Sequence, residues 1–353
     1  MHTTTRPRIN VLDPVSVIMP VRNEERHLET SVQGVLDQAY PGELEILLSV
    51  GPSHDRTIQI AERLAADNPH IRVIHNPSGT TPDALNLAIA ASRFPVIVRV
   101  DAHGELTPGY IETAVELLHA TDAANVGGRM DAQGSTSFEK AVALAYNSRL
   151  GLGGGGFHLA ETPQGPAETV FLGSFRRDAL IAVGGYDPDL LRAQDWELNM
   201  RLRQAGEKVI YSPKLSVTYR PRSTVRALAR QFFATGRWRR EVIRRHPETA
   251  SLRYLAPPLA VSGIGVGIGL AVAPRVPTWL RVVGLMAPLG YAAVVGIGSQ
   301  VRLEGAEGQH VDAPTRAWLP VVLAVMHMCW GAGFLRGLAP HERHRTDAAP
   351  RPS

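Results

Sequence analysis

Val96-Ile97-Val98-Arg99-Val100-Asp101-Ala102-His103 opens as a run dominated by β-branched residues and closes on a carboxylate and an imidazole. Comparable apolar runs occupy residues 15–19, 44–50 and 71–74, without a clean alternation of apolar and polar positions. Such runs suit strands buried on both faces of a parallel sheet. Between them, residues 25–38, 56–67 and 82–92 carry helical patterns. Strand–helix–strand repeats at this spacing predict a doubly wound α/β domain, a mostly parallel Rossmann-like sheet. Thr107 followed by Pro108 reads as the N-cap and first-turn proline of another helix over 109–119. No internal repeat is visible, and the glycine-rich residues 151–156 are the local exception to ordinary complexity.

Ligands of an open parallel sheet sit beyond the carboxyl ends of its strands. Those ends carry Pro20-Val21-Arg22-Asn23-Glu24, Gly51-Pro52-Ser53-His54-Asp55 and Asp101-Ala102-His103. Asp101 and His103 are two residues apart, so in an extended segment their side chains point the same way. A carboxylate and an imidazole on one side can share a divalent cation, and this donor set suits Mg2+ or Mn2+. A solvated loop end is the ordinary reading of a lone Asp-x-His; its register with two other polar strand ends favours a site. A second polar stretch is Gly184-Gly185-Tyr186-Asp187 followed by Gln194-Asp195-Trp196-Glu197-Leu198-Asn199-Met200-Arg201-Leu202. It reads as a helix start with acids in the first turn, where the helix dipole keeps Asp195 ionised. An ionised carboxylate there suits a proton acceptor; a capping Asp without catalytic role is the alternative.

The chain has 353 residues, enough for one enzyme domain and about a hundred residues more. With 44% hydrophobic and 20% charged residues, it is neither disordered nor fibrous in composition. The single cysteine, Cys329, excludes an intramolecular disulfide framework and a Cys-rich zinc site. Charge is unevenly placed. Residues 220–253 hold ten Arg against two acids, whereas the whole chain is only +4. Residues 255–273, 282–299 and 317–335 then contain no charged side chain, each long enough to cross a bilayer as a helix. The expected organisation is a soluble domain over 1–219, an Arg-rich interfacial helix over 220–253, about three membrane helices over 254–337, and a tail over 338–353. The first residues carry no apolar signal segment. The positive-inside rule puts the Arg-rich collar and the N-terminal domain in the cytoplasm, in a multi-pass protein of the cell membrane. Three spans would leave the basic residues 341–345 outside, against the same rule. Either one apolar segment is re-entrant or interfacial, or the tail is an exception. Pro257, Pro258 and four glycines make the first segment the weakest helix on paper.

The succession PVRNEE, SHDRT, ALNLAI, VRVDAH, GGYD and QDWELNMRLR resembles the family 2 glycosyltransferases of GT-A fold, in particular a membrane-anchored bacterial branch. The likeness covers about residues 14–250. It implies that Pro20, Arg22, Asn23, Glu24, Asp55, Asn86 and Asp101 surround a nucleotide-sugar. Asp101 would contact metal and ribose, and His103 stands where most relatives have the second Asp of an Asp-x-Asp motif. Asp195 aligns with the family's catalytic base. The acidic pair that commonly opens the loop after the second strand is replaced by Val50 and Gly51, which leaves the nucleotide open, with UDP preferred. The processive Gln-x-x-Arg-Trp motif is not matched, because five residues separate Gln231 from Arg237-Trp238. A single-addition enzyme is expected. Arg237 and Trp238 would close over the diphosphate or the incoming sugar, with membrane-interface anchoring an equal reading of Trp238.

The resemblance implies an inverting transfer: a cation stabilises the departing diphosphate while Asp195 takes the proton of an acceptor hydroxyl. The Arg-rich collar carries no nucleic-acid motif and is read as a helix on anionic headgroups, bringing the enzyme to a lipid-linked glycan acceptor. Transfer onto polyprenyl phosphate is the alternative within enzymes. A non-catalytic nucleotide-sugar-binding component of a polysaccharide assembly is the alternative outside them. Residues 153–158 and 171–177 resemble acceptor-side segments of the family, and His54 and His327 receive no functional role.

Overall fold

The computed structural model describes residues 8–152, 156–159, 161–301 and 311–339. In chain order the first elements are β1 (Val15–Val21), α1 (Leu28–Leu36), β2 (Leu44–Val50), α2 (Thr57–Asp67), β3 (Ile71–His75), α3 (Thr81–Ala91) and β4 (Val96–Arg99). Next come β5 (Glu105–Leu106), α4 (Tyr110–Thr121), β6 (Asn125–Ala132), α5 (Ser137–Tyr146) and α6 (Arg149–Leu152). Then follow β7 (Gly165–Pro166), β8 (Phe171–Arg176), α7 (Arg177–Ala182), α8 (Gln194–Gln204) and β9 (Val209–Tyr219). Four long helices end the described chain: α9 (Val225–Arg245), α10 (Leu252–Val272), α11 (Thr278–Val301) and α12 (Ala313–Arg336). These elements form two compact units. One holds residues up to 131 and 161–219; the other holds 132–159 and 220–339.

The first unit is built on a sheet of order β3-β2-β1-β4-β8-β6-β9-β5, with β7 paired to β9. The strands β3, β2, β1 and β4 run parallel, as their apolar runs predict; β8 turns antiparallel against β4 and β6. Val15, Val17, Ile18, Met19, Ile46, Leu47, Leu48, Val96, Ile97 and Val98 are all fully buried, so both faces of the central strands are covered. Glu45 is a fully buried acid in β2. It accepts from the Ser16 hydroxyl at 2.7 Å, the Arg93 amide at 2.8 Å and the guanidiniums of Arg93 and Arg72 at 2.9 and 3.2 Å.

Two local expectations need correction. The first helix starts at Leu28, not at residue 25. Residues 24 and 25 are occupied by loop bonds, their amides donating to Thr57 Oγ1 and Asp55 Oδ2. Thr107 is not the N-cap of α4. Its hydroxyl donates to the Ser216 carbonyl on β9 at 3.1 Å, and Gly109, at φ 73°, takes the cap position.

In the second unit, α10, α11 and α12 are each long and apolar enough to cross a membrane. The α10–α11 pair approaches closely through facing glycines: a Cβ on Gly267 would meet the Gly284 carbonyl at 2.2 Å. Small residues at such a crossing are the usual means of packing lipid-embedded helices. The first apolar segment is a continuous helix despite its prolines. Pro257 and Pro258 fall within its first two turns, where only the carbonyls of Arg253 and Tyr254 lose an intrahelical donor. The basic residues 341–345 lie outside the described residues.

Candidate active site

Three strand ends are laced together at the carboxyl edge of the sheet. Asn23, just past β1, adopts φ 55°, a left-handed conformation that Asn tolerates better than most residues. Its amide donates to Ser53 Oγ at 3.1 Å, and its side-chain carbonyl accepts from the His54 amide at 2.9 Å. Asp55 accepts from the Glu25 amide and from both the amide and hydroxyl of Thr57. Those bonds hold its carboxyl below the ordinary carboxylate range, the Thr57 hydroxyl foremost. Arg22 reaches across to donate to the carbonyls of Pro52 and Gly79. Pro20, the penultimate residue of β1, sits beside Ser49 in register.

The centre of the site is Arg99, the last residue of β4 and 4% exposed. Its Nε and Nη2 donate to Asp101 Oδ1 at 3.2 and 3.0 Å. Its Nη1 donates to Asp195 Oδ1. The guanidinium also lies 5.8 Å from the centroid of the Tyr186 ring. One buried cation thus gathers the two carboxylates that the sequence singled out separately. Arg99 was missed because a charge inside an apolar strand run reads as an interruption; the signal was its position two residues before Asp101. Burial raises the pKa of Asp195, Arg99 opposes that rise, and Asp101 adds to it; the net direction is upward. The Asp195 side chain still keeps 39% of its exposure, so a desolvated carboxylate remains reachable.

Several contacts fix the helix that carries Asp195. Ala193, preceding α8, sits at φ 62°, strained for a residue with a Cβ. Arg201, on α8, forms a two-pronged pair with Glu197 at 2.6 and 2.7 Å. The same guanidinium donates to the carbonyls of Val183 and Gly185. From α3, Asn86 closes the other side of that turn, donating to the Tyr186 carbonyl and accepting from its amide, both at 2.8 Å. These two bonds make Asn86 a brace between α3 and the Gly-Gly-Tyr turn. Gly185 is required there twice over: its φ is +70°, and a Cβ would lie 2.5 Å from Asn86 Oδ1.

The metal expectation is changed by the backbone. Gly104 N donates to the Asp101 carbonyl at 2.7 Å, so residues 101–104 form a turn rather than an extended segment. The alternation that would have aligned Asp101 with His103 does not apply. Asp101 engages Arg99, whereas His103 Nδ1 lies 2.9 Å from Glu24 Oε1. Among the described residues no group of three or more His, Cys, Asp or Glu side chains could hold a metal ion. Glu24 and His103 pair at the sheet edge while Asp101 is held by Arg99, so the chain offers separate oxygen and nitrogen donors and no preformed cage, a set that suits only a cation arriving with its own phosphate oxygens. Arg237 and Trp238 lie on α9 in the second unit, where Arg237 Nε donates to the Gly337 carbonyl at 2.9 Å. Residues 153–155 lie outside the described residues.

The model of the Glycosyl transferase family 2 matches residues 16–184. Over 329 residues the chain is 34% identical to the succinoglycan biosynthesis protein ExoA of Rhizobium meliloti, covering 93% of this chain and 96% of that one. It is 24% identical over 234 residues to the dolichyl N-acetyl-alpha-D-glucosaminyl phosphate 3-beta-D-2,3-diacetamido-2,3-dideoxy-beta-D-glucuronosyltransferase of Methanococcus voltae, covering 63% of this chain and 71% of that one. In fold it is similar to the mannosyltransferase PcManGT from Pyrobaculum calidifontis, solved with GDP-Man and Mn2+. That match has a TM-score of 0.56 at 18% identity and covers 94% of this chain and 90% of that one. The architecture is of the GT-A type.

Proposed function

The chain belongs to glycosyl transferase family 2, and from that premise we propose that it adds a single sugar, from a UDP-sugar, to a lipid-linked glycan during exopolysaccharide assembly. The observation that carries the proposal is the grip of one buried guanidinium, Arg99, on both Asp101 and Asp195. It brings the end of β4 and the start of α8 within one side chain of each other, so a donor bound at Asp101 would lie beside Asp195. Asp195 takes the proton of the acceptor hydroxyl as that oxygen attacks the anomeric carbon, and the diphosphate leaves from the opposite face. The scheme has no protein nucleophile, so the anomeric configuration inverts. Pro20, Arg22, Asn23, Glu24 and Asp55 shape the nucleotide side of the edge, with Asn86 supporting it through Tyr186.

A divalent cation, Mg2+ or Mn2+, would be held by Asp101 and His103, with Glu24 beside His103. When bound, it supplies charge stabilisation of the leaving diphosphate. Support comes from the Mn2+ in the mannosyltransferase of similar fold and from the chemistry of the three side chains. The lipid-linked acceptor is supported by the succinoglycan biosynthesis named for the Rhizobium relative and by the dolichyl N-acetyl-alpha-D-glucosaminyl phosphate, a lipid-linked sugar, named for the Methanococcus one. The Arg-rich collar supports a cytoplasmic catalytic unit by the positive-inside rule.

Incubating membranes with labelled UDP- and GDP-sugars and extracting the lipids tests this reading. An extended lipid-linked glycan from a UDP-sugar is the expected product. A polyprenyl-phosphate monosaccharide would move the acceptor to the lipid phosphate itself, and no labelled product with retained donor binding would make the chain a binding component. Omission of divalent cation in the same assay is expected to remove turnover.

A further inference from the structure

Of the three apolar helices, α10 and α11 are exposed along most of their length, whereas α12 is buried over 33% of its most apolar stretch. What covers α12 is decisive. Near its N-terminus, Trp318 meets the Phe138 ring of α5 edge-on at 5.3 Å, and Asp312 lies 3.9 Å from Lys140 Nζ. At its middle, His327 Nε2 lies 2.8 Å from the Leu150 carbonyl of α6. Along its C-terminal third, Cβ atoms on Gly333 and on Gly236 of α9 would collide with the facing backbone at 2.0 Å. There Arg237 and Arg240 of α9 donate to the carbonyls of Gly337 and Phe334, capping the orphan acceptors of the helix end. All three covering helices precede the first apolar segment in sequence. Among the described residues, nothing before α10 is long and apolar enough to cross a membrane.

A 24-residue helix is about 36 Å long, enough to put its ends on opposite sides of a bilayer. Here both ends are pinned to charged side chains, Lys140 at one and Arg237 and Arg240 at the other. Helix α9 carries too many arginines to enter hydrocarbon, where each would cost several kcal/mol. The contacts with the other apolar helices agree. Trp330 of α12 stacks on Tyr254 in the first turn of α10, with centroids 6.5 Å apart, and a Cβ on Gly331 would lie 2.5 Å from the Pro257 carbonyl. A span parallel to α10 would place these late residues beside the far end of α10, near Val272. Leu319 and Leu323, early in α12, border a cavity with Ala293, Val294 and Ile297 near the end of α11. Helix α12 therefore crosses the beginning of α10 and the end of α11, which lie at the same mouth of the hairpin.

We infer that α12 lies in the plane of the membrane surface as a third layer beneath α5 and α9, roofing a two-helix hairpin, rather than crossing the bilayer. Its uniformly apolar surface follows: one face packs on protein, and the opposite face, with Val321 and Leu335 exposed, meets the acyl-chain boundary. The partner of this surface is the lipid headgroup interface on the side of the Arg-rich collar. Both ends of α12 then lie on that same side, which removes the conflict between three spans and the positive-inside rule.

Single cysteines in a Cys329→Ser background, labelled with a membrane-impermeant maleimide in sealed vesicles of either orientation, test the inference on the full chain. The positions are Glu62→Cys in the first unit, Arg275→Cys between α10 and α11, Ala313→Cys at the start of α12, and a cysteine appended after Ser353. Labelling of Glu62→Cys, Ala313→Cys and the appended cysteine from one side, with Arg275→Cys from the other, is the expected pattern. Labelling of Ala313→Cys and the appended cysteine from opposite sides would establish α12 as a span and overturn the inference. So would labelling of Arg275→Cys from the side of Glu62→Cys, which would remove the hairpin. Sugar transfer is not the readout, so the result stands apart from the proposed donor and acceptor.

Discussion

As the proposed base, Asp195 combines two properties suited to a proton acceptor: burial raises its pKa, and a cationic partner opposes the rise. A base poised nearer to neutrality is more effective. Asp195→Asn is expected to lower kcat by about 10²–10⁴-fold while donor affinity, measured by titration, stays near that of the parent. The pH profile follows in sign. Protonation inactivates the base, so turnover should fall as pH drops through an apparent pKa above the ordinary carboxylate value, and the residual rate of the Asn variant should lack that acid limb. Arg99→Lys retains one positive charge but loses the planar fork that serves two carboxylates at once. Turnover should drop at least tenfold with a smaller change in donor affinity, and thermal denaturation should show a loss of about 1–3 kcal/mol, held down by the partial solvation of both carboxylates.

At the scale of elements, the opposite edge of the sheet is held by Glu45 of β2. Burial pushes its carboxyl up, but the Ser16 hydroxyl, the Arg93 amide and the Arg93 guanidinium outweigh that, leaving it below its ordinary value. A depressed folded-state pKa contributes stability that is complete above the unfolded pKa and is lost as pH falls through the folded one. Glu45→Gln should therefore cost about 1–3 kcal/mol at pH 7, most of it from the buried hydrogen bonds, because Arg72 and Arg93 are open to solvent. In melting curves against pH, the gap between variant and parent should close on acidification. The turn before α8 makes a second prediction. Gly185→Ala puts a methyl group against Asn86 Oδ1 and forces the brace to move. Activity should fall more than thermal stability, since the displaced turn leads to Asp195.

For the whole molecule, the exposed apolar lengths of α10 and α11 require hydrocarbon around them. The protein should stay in the membrane pellet after alkaline carbonate and high-salt washes and be released only by detergent, as followed by immunoblotting. Release by salt alone would mean that the Arg-rich collar, an electrostatic and salt-sensitive contact, is the only attachment. The Gly267–Gly284 contact gives this hairpin its close crossing.

The parallel half of the sheet was legible because strands buried on both faces write themselves as unbroken β-branched runs, and the polar strand ends were legible because a sheet of that kind binds at its carboxyl edge. Asp101 and Asp195 could be singled out by motif, yet nothing local says that residues 94 positions apart share a guanidinium. Arg99 was hidden for the same reason: its meaning lies in what the fold sets opposite it. The alternation that would have aligned Asp101 with His103 holds only while a strand continues, and this one ends at Arg99. Helix α12 marks the largest gap between the two levels. Hydropathy records that a segment prefers to leave water, which its sequence determines alone; whether protein or lipid receives it depends on packing partners far along the chain, and only the tertiary structure decides that.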